Sequence, residues 1–207
     1  MPADDELFAA WKGGDTKAGT ELFERYFDVL FRFFRNKTED GAEDLVQQTF
    51  LSCLSGPPFR GDSSFRTYLF TIARNALYGH WEKRGRAAAD ADLSEVSVAD
   101  LGPSPSAIVA KRREERLLLE GLRNIPIDHQ IVLELYYWED LSGPELAMVF
   151  GVAEPTIRSR LRLAREALDK ALSRLTDDRA LLESTMTDLD TWAKRLREHA
   201  QPGDAKG

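Results

Sequence analysis

The sequence predicts an all-α protein: two small helical domains joined by a flexible acidic linker, the second a helix-turn-helix, with an amphipathic helix at the C-terminal end. Three observations carry this. Strand signals are almost absent, apolar residues recur three or four apart along most segments, and Pro and Gly cluster at a few breaks.

The clearest break lies between Ala87 and Ala110. It is rich in Ala, Asp, Ser and Pro, contains Gly102-Pro103-Ser104-Pro105, and carries Asp90, Asp92, Glu95 and Asp100 without a base. Such a stretch buries too little apolar surface to fold alone. The expected organisation is therefore a first domain over 1–88, a linker over 89–110 and a second domain over 111–175. A helical extension and tail follow over 176–207, in which Leu182, Met186, Leu189, Ala193 and Leu196 keep helical spacing.

Composition narrows the function. Of the 207 residues, 43% are hydrophobic and 30% charged, the balance of a folded chain. One cysteine, Cys53, rules out an internal disulfide and suits a reducing, cytoplasmic setting. The opening Met-Pro-Ala-Asp-Asp-Glu is acidic where a secretion signal would be basic, and no apolar run nears the roughly 18 residues that span a bilayer. Three histidines, one cysteine and no phosphate loop leave nothing from which to build a catalytic or metal site, so neither an enzyme nor a cofactor is expected.

The net charge of −7 conceals segregated signs. Acids dominate from Met1 to Phe50, whereas Arg74 to Arg86 and Arg158 to Arg174 are basic. Acid repels phosphate and should face protein; the basic stretches can face DNA.

In the second domain, Ser142-Gly143-Pro144-Glu145 has the form of a capping box opening a short helix that stops at Gly151. Pro155 then suits the first turn of another helix. Two helices joined by a glycine-containing turn make a helix-turn-helix. On the second of them, Ile157, Leu161, Ala164 and Leu168 share one side, while Arg158, Arg162 and Arg165 share another with Pro155 and Ser159 nearby. One side can pack and the other can enter a major groove. The helix before, Pro126 to Trp138, is expected to bury Ile131, Val132, Leu135 and Tyr136, with His129 at the surface.

In the first domain, Gly41 to Leu51 reads as an amphipathic helix with exposed carboxylates and amides. A polar loop, Phe59 to Ser64, leads into a helix from Phe65, of which Phe65, Leu69 and Ile72 are core positions. From Ala76 to Arg86, Tyr78, His80 and Trp81 interleave with Lys83, Arg84 and Arg86. That pattern suits single-stranded DNA, where cations follow the backbone and each stacked base contributes roughly 1–3 kcal/mol.

The helix Glu43 to Leu51, the run Phe59 to Asn75 and the stretch Leu122 to Leu168 together resemble the extracytoplasmic-function sigma factors of bacterial RNA polymerase. The resemblance covers most of Leu7 to Leu175, with three motifs in the family's order. It implies a sigma factor, active in stress response, that binds core polymerase at its clamp helices and flap and directs initiation at −35 and −10 promoter elements. It places Asp44, Gln47, Gln48 and Leu51 on the clamp helices. Arg60, Gly61, Asp62, Ser63, Ser64 and Phe65 become the loop that captures a flipped base of the −10 element. Arg74, Asn75, Tyr78, Trp81, Lys83 and Arg84 meet the separating strands, and Pro155, Thr156, Arg158, Ser159 and Arg162 read the −35 duplex. The resemblance also implies an anti-sigma partner, and the free protein is expected to be a monomer. Where relatives carry Asp and a denser basic run after the Arg-Asn pair, this chain has Gly79 and Glu82.

Two other functions compete. A dimeric helix-turn-helix regulator acting without polymerase would leave the first-domain motifs without a purpose. A redox switch at Cys53 would need an accessible thiol on what reads as an apolar helix. For the C-terminal helix, packing, self-restraint and partner binding all remain open.

Overall fold

The computed structural model describes residues 2–38, 40–56, 59, 63–83, 96–101, 113–187 and 189. Among these the regular structure is α-helical, apart from an isolated bridge between Ser97 and Pro126.

The first domain is built from α1 (Asp4–Lys12), α2 (Thr16–Arg35), α3 (Ala42–Ser55) and α4 (Phe65–Lys83). Helix α1 opens on three acids, Asp4, Asp5 and Glu6, which favour the positive helix end, and Glu6 reaches back to the Ala3 N–H at 3.2 Å. Asp15 caps α2 by accepting from the Lys17 and Ala18 N–H groups at 2.9 and 3.3 Å. These two helices approach closely because position 19 is glycine: a Cβ there would lie 2.3 Å from Trp11 Nε1. Phe8, Leu22, Phe34, Phe65, Leu69 and Trp81 fill the core between the four helices.

The second domain comprises α6 (Arg113–Arg123), α7 (Ile127–Tyr137), α8 (Gly143–Phe150) and α9 (Glu154–Leu175), preceded by a single helical turn, α5 (Val98–Leu101). The expected linker is therefore partly structured. Val98 is buried, and the Val96 carbonyl accepts from the Ile127 N–H at 2.9 Å, tying this stretch to the start of α7. The Val96 and Val98 side chains and the backbone pairing with the start of α7 supply the burial that composition alone denied it; 87–95 and 102–110 lie outside the described residues.

Helix α8 ends as its sequence requires. Glu145 accepts from the Ser142 N–H at 2.8 Å and from its hydroxyl at 2.6 Å, and Gly151 closes the helix at φ +65°, in the left-handed region. Helix α7 departs from expectation in one respect. Ile131, Val132 and Leu135 are buried, but Tyr136 is 41% exposed, while Leu133 and Glu134 are buried instead. The reason is that α7 is covered on two sides, by α9 and by the first domain. His129 is likewise half-buried rather than on the surface.

The C-terminal extension forms α10 (Arg179–Thr187), with Leu189 buried beyond it. It packs on α6 and α9, directing Leu181, Leu182 and Met186 at the core. Ala193 and Leu196 lie outside the described residues.

The two domains are not separate bodies. Helix α4 lies against α8, and ionic groups of α2 and α4 meet those of α7 and its C-terminal end. Nothing in the sequence pattern announced this contact.

Candidate nucleic-acid and polymerase interfaces

Three surfaces carry the sequence-predicted residues. On α3, Leu45, Val46, Thr49, Phe50 and Cys53 turn inward. That leaves Asp44, Gln47, Gln48 and Leu51, spaced at helical repeats, exposed along the opposite side. Leu51 is 65% exposed, and Leu54, one turn on, extends the apolar edge that the sequence reading missed. An uncovered leucine pair flanked by an acid and two amides has the chemistry of a protein-contact surface.

On α9, Ile157, Ala164 and Leu168 are buried and Leu161 half-buried. Pro155, Thr156, Arg158, Ser159, Arg162 and Arg165 are all exposed. Neighbouring acids restrain two of the arginines only at the surface: Glu154 lies 3.6 Å from Arg158 and Glu166 lies 2.6 Å from Arg162. Arg165 sits 5.9 Å from the centre of the Tyr137 ring. Such exposed pairs contribute little and are readily exchanged for phosphate.

The third surface, on α4 and the loop before it, is different. Arg60, Gly61, Asp62 and Arg84 lie outside the described residues. Ser63, Ser64, Asn75 and Lys83 are at least partly accessible. The Phe65 side chain is fully buried, as its core position predicts although the resemblance put it in the base-capturing loop, and Trp81, expected at the separating strands, is fully buried as well. The Phe65 ring packs 4.8 Å from Phe8 and 5.7 Å from Tyr26, so as folded it belongs to the core and cannot stack on a base. Gly79 is half-exposed and Glu82 exposed.

Arg74 and Tyr78 are held by the second domain. Asp128 of α7 accepts from Arg74 Nε at 3.3 Å and from Nη2 at 2.9 Å on one oxygen and 3.2 Å on the other. It also accepts from the Tyr78 hydroxyl at 2.5 Å and from Arg160 Nη1 at 3.1 Å. Burial and the adjacent Asp128 charge raise the Tyr78 phenol well above its ordinary value, so it remains a donor. The Arg74 guanidinium is further flanked by the Tyr78 and Phe150 rings at 4.6 and 4.9 Å.

The same pattern continues along the contact. Glu139 accepts from Arg32 at 3.1 Å and Arg66 at 2.8 Å. Lys37, fully buried, pairs with Glu134, which also accepts from Gln130 at 2.8 Å. Burial pushes the Lys37 ammonium below its usual range, against the opposing pull of Glu134. Thr67 donates to Glu145 at 3.3 Å. Burial alone would raise the Glu145 carboxyl, but bonds from the Ser142 hydroxyl and backbone, and from Thr67, hold it below the usual carboxylate range.

Cys53 does not suit redox chemistry: it is buried, and loss of solvation pushes its thiol up to about 12. Among the described residues no group of three or more His, Cys, Asp or Glu is placed to hold a metal ion, and no helix is long and apolar enough to cross a membrane.

Comparison with known proteins gives the chain its relatives. Residues 22–87 match the model of sigma-70 region 2, and residues 115–168 match that of sigma-70 region 4. The RNA polymerase sigma-H factor of Pseudomonas aeruginosa is 31% identical over 186 residues, covering 83% of this chain and 95% of that protein. The ECF RNA polymerase sigma-E factor of Haemophilus influenzae is 28% identical over 182 residues, covering 83% and 96%. Among solved structures, RpoE of Bartonella quintana, crystallised with the anti-sigma factor NepR, superposes with a TM-score of 0.56 at 27% identity, covering 77% of this chain and 99% of that one. CnrH, solved with the cytosolic domain of CnrY, shares the fold at a TM-score of 0.60 and 24% identity, covering 84% and 100%.

Helical fold, helix-turn-helix and region matches define a DNA-binding regulator of transcription built from sigma regions 2 and 4. Within that class, the chain belongs to the extracytoplasmic-function sigma factors, which recognise promoters and direct transcription initiation through RNA polymerase.

Proposed function

We propose that the three surfaces divide the work of initiation. The α3 side bearing Asp44, Gln47, Gln48 and Leu51 docks the clamp helices of core polymerase, while the second domain meets the flap. Pro155, Thr156, Arg158, Ser159, Arg162 and Arg165 read the −35 element as duplex. The loop 60–64, seated by Phe65, captures a flipped −10 base, and Arg74, Asn75, Tyr78, Lys83 and Arg84 follow the opened strand. Extruding a base costs a few kcal/mol, which a fitted pocket and stacking offset.

The observation that carries this reading is the exposed side of α9. Its six predicted residues are all accessible while Ile157, Ala164 and Leu168 of the same helix are buried. Guanidiniums so placed can reach guanine edges or phosphates in a major groove. The protein acts as a binding subunit, not an enzyme, in the cytoplasm; polymerase supplies the catalysis. Domain limits of 1–88, 89–110, 111–175 and 176–207 accommodate the two matched regions and leave α10 as an addition to the second domain. A monomer when free and a separate anti-sigma protein complete the picture, the latter supported by the NepR complex of a relative.

Run-off transcription with bacterial core polymerase, with and without the chain, on fragments of the source genome tests it. New transcripts sharing a two-part upstream sequence are expected. A chain that shifts duplex DNA as a dimer, yet neither binds nor redirects polymerase, would instead be a free-standing regulator.

A further inference from the structure

The exposed side of α9 is divided lengthwise by chemistry. Arg158, Arg162 and Arg165, spaced four and three apart, make a cationic strip. Beside it runs an uncharged strip of Thr156, Ser159 and Leu163, spaced three and four apart and likewise exposed. At about 100° per residue, Leu163 falls in direction between Ser159 and Thr156, on the side assigned above to the −35 duplex. Its side chain is 45% exposed. The helix cannot roll it inward, because Ile157, Ala164 and Leu168 are already buried on the core side.

A lone exposed leucine is ordinary on a protein surface. This one stands among arginines and hydroxyls, so a duplex drawn in by those arginines is laid against it. The major groove supplies a matching partner. Guanine shows two acceptors there, which a guanidinium can meet, whereas thymine shows a methyl group beside its O4 acceptor. Leucine has no group that can bond to a base edge. Against a methyl it displaces water from two apolar surfaces, but against a cytosine amino group it would strip water from a donor and return nothing. The strip from Thr156 to Leu163 is roughly 10 Å long at 1.5 Å per residue, enough to follow about three base-pair steps.

We propose that Leu163 is a specificity-determining residue of the −35 contact and reads the C5 methyl of a thymine. The inference rests on the assignment of α9 to the −35 duplex and divides the labour within it. The arginine strip takes guanine edges and phosphates; the uncharged strip selects thymine over cytosine, and over the same base without its methyl.

Holoenzyme assembled from bacterial core polymerase and the full chain tests this on two random-sequence duplex libraries, one containing thymine and the other uracil throughout. Bound sequences are aligned on their upstream element. The thymine library should yield a fixed thymine at one position. The uracil library should lose the preference there and keep the same guanines. Leu163→Ala, a change at an exposed side chain, should leave the melting temperature unchanged and remove the thymine preference alone. On the selected duplex, replacing that one thymine by uracil should weaken binding of the unsubstituted holoenzyme about fourfold, the effect of burying one methyl group. The Leu163→Ala holoenzyme should bind both duplexes equally.

An upstream element with no fixed thymine, no loss on uracil substitution, or an equal loss in Leu163→Ala overturns the inference while leaving the −35 assignment standing. Failure of that assignment shows differently: neither library would enrich an upstream element, Arg158→Ala would change nothing, and the inference would fall with it.

Discussion

Lys37 shows most directly what a single charge does in this molecule. It is fully buried, donates to the Phe33 carbonyl at 2.7 Å, and faces Glu134. Desolvating two ions costs about as much as their attraction returns, so the pair itself adds little, but either member alone is expensive. Lys37→Met is therefore expected to destabilise the chain by about 3 kcal/mol. The double variant Lys37→Met, Glu134→Gln should recover at least half of that in urea unfolding. A full additive loss would show that the pair stabilises outright.

His129 gives a pH signature at the same scale. Burial, and then the nearby Arg160 charge, lower its pKa below the ordinary 6.5, with Asp128 opposing. A base with a lowered native pKa lends stability that is present above 6.5 and lost as pH falls through the native value. Thermal stability should thus decline on acidification from neutral pH. His129→Gln should flatten that decline in scanning calorimetry between neutral and mildly acidic buffer.

Among the elements, α3 and α9 resemble each other in design. Each buries one side and leaves a set of polar and charged groups, with Leu51 on α3, for something outside the chain. Leu51→Asp is expected to weaken polymerase binding at least tenfold while leaving the melting temperature unchanged, since the side chain touches little of its own protein. Arg158→Ala should cost about 1–3 kcal/mol of −35 duplex binding, and more at the cognate site than at random sequence. An equal loss on both would make Arg158 a phosphate contact instead. Fluorescence anisotropy on the two duplexes distinguishes these.

For the molecule as a whole, α10 is a structural addition. Leu181, Leu182 and Leu189 complete the apolar cover over α6 and α9, which close up around Gly121, where a Cβ would lie 2.5 Å from Leu172 Cδ2. A chain ending at Leu175 should still direct run-off transcription but melt several degrees lower, having lost the burial of three leucines, about 2 kcal/mol or more. Loss of all transcription with an intact fold would instead give α10 a partner.

The sequence by itself determined the all-α class, the helix-turn-helix with its Ser142–Glu145 opening and Gly151 stop, and the two-sided patterns of α3 and α9. These follow from local rules: 3.6-residue periodicity, capping chemistry and the left-handed freedom of glycine act within a few residues, so they can be read in one dimension. Only the tertiary structure decided which side of α4 is free. Trp81 looks like a stacking ring in a basic stretch yet is buried, and Phe65, a core position by its spacing, finds its partners Phe8 and Tyr26 far along the chain. Spacing along α7 predicts one buried side that includes Tyr136, whereas the helix meets both α9 and the first domain and leaves Tyr136 exposed. Asp128, Glu134 and Glu139 read as ordinary helix-surface acids. Their pairing with Arg74, Lys37, Arg32 and Arg66, some 50 to 110 positions away, arises from long-range packing of charge that no local pattern encodes.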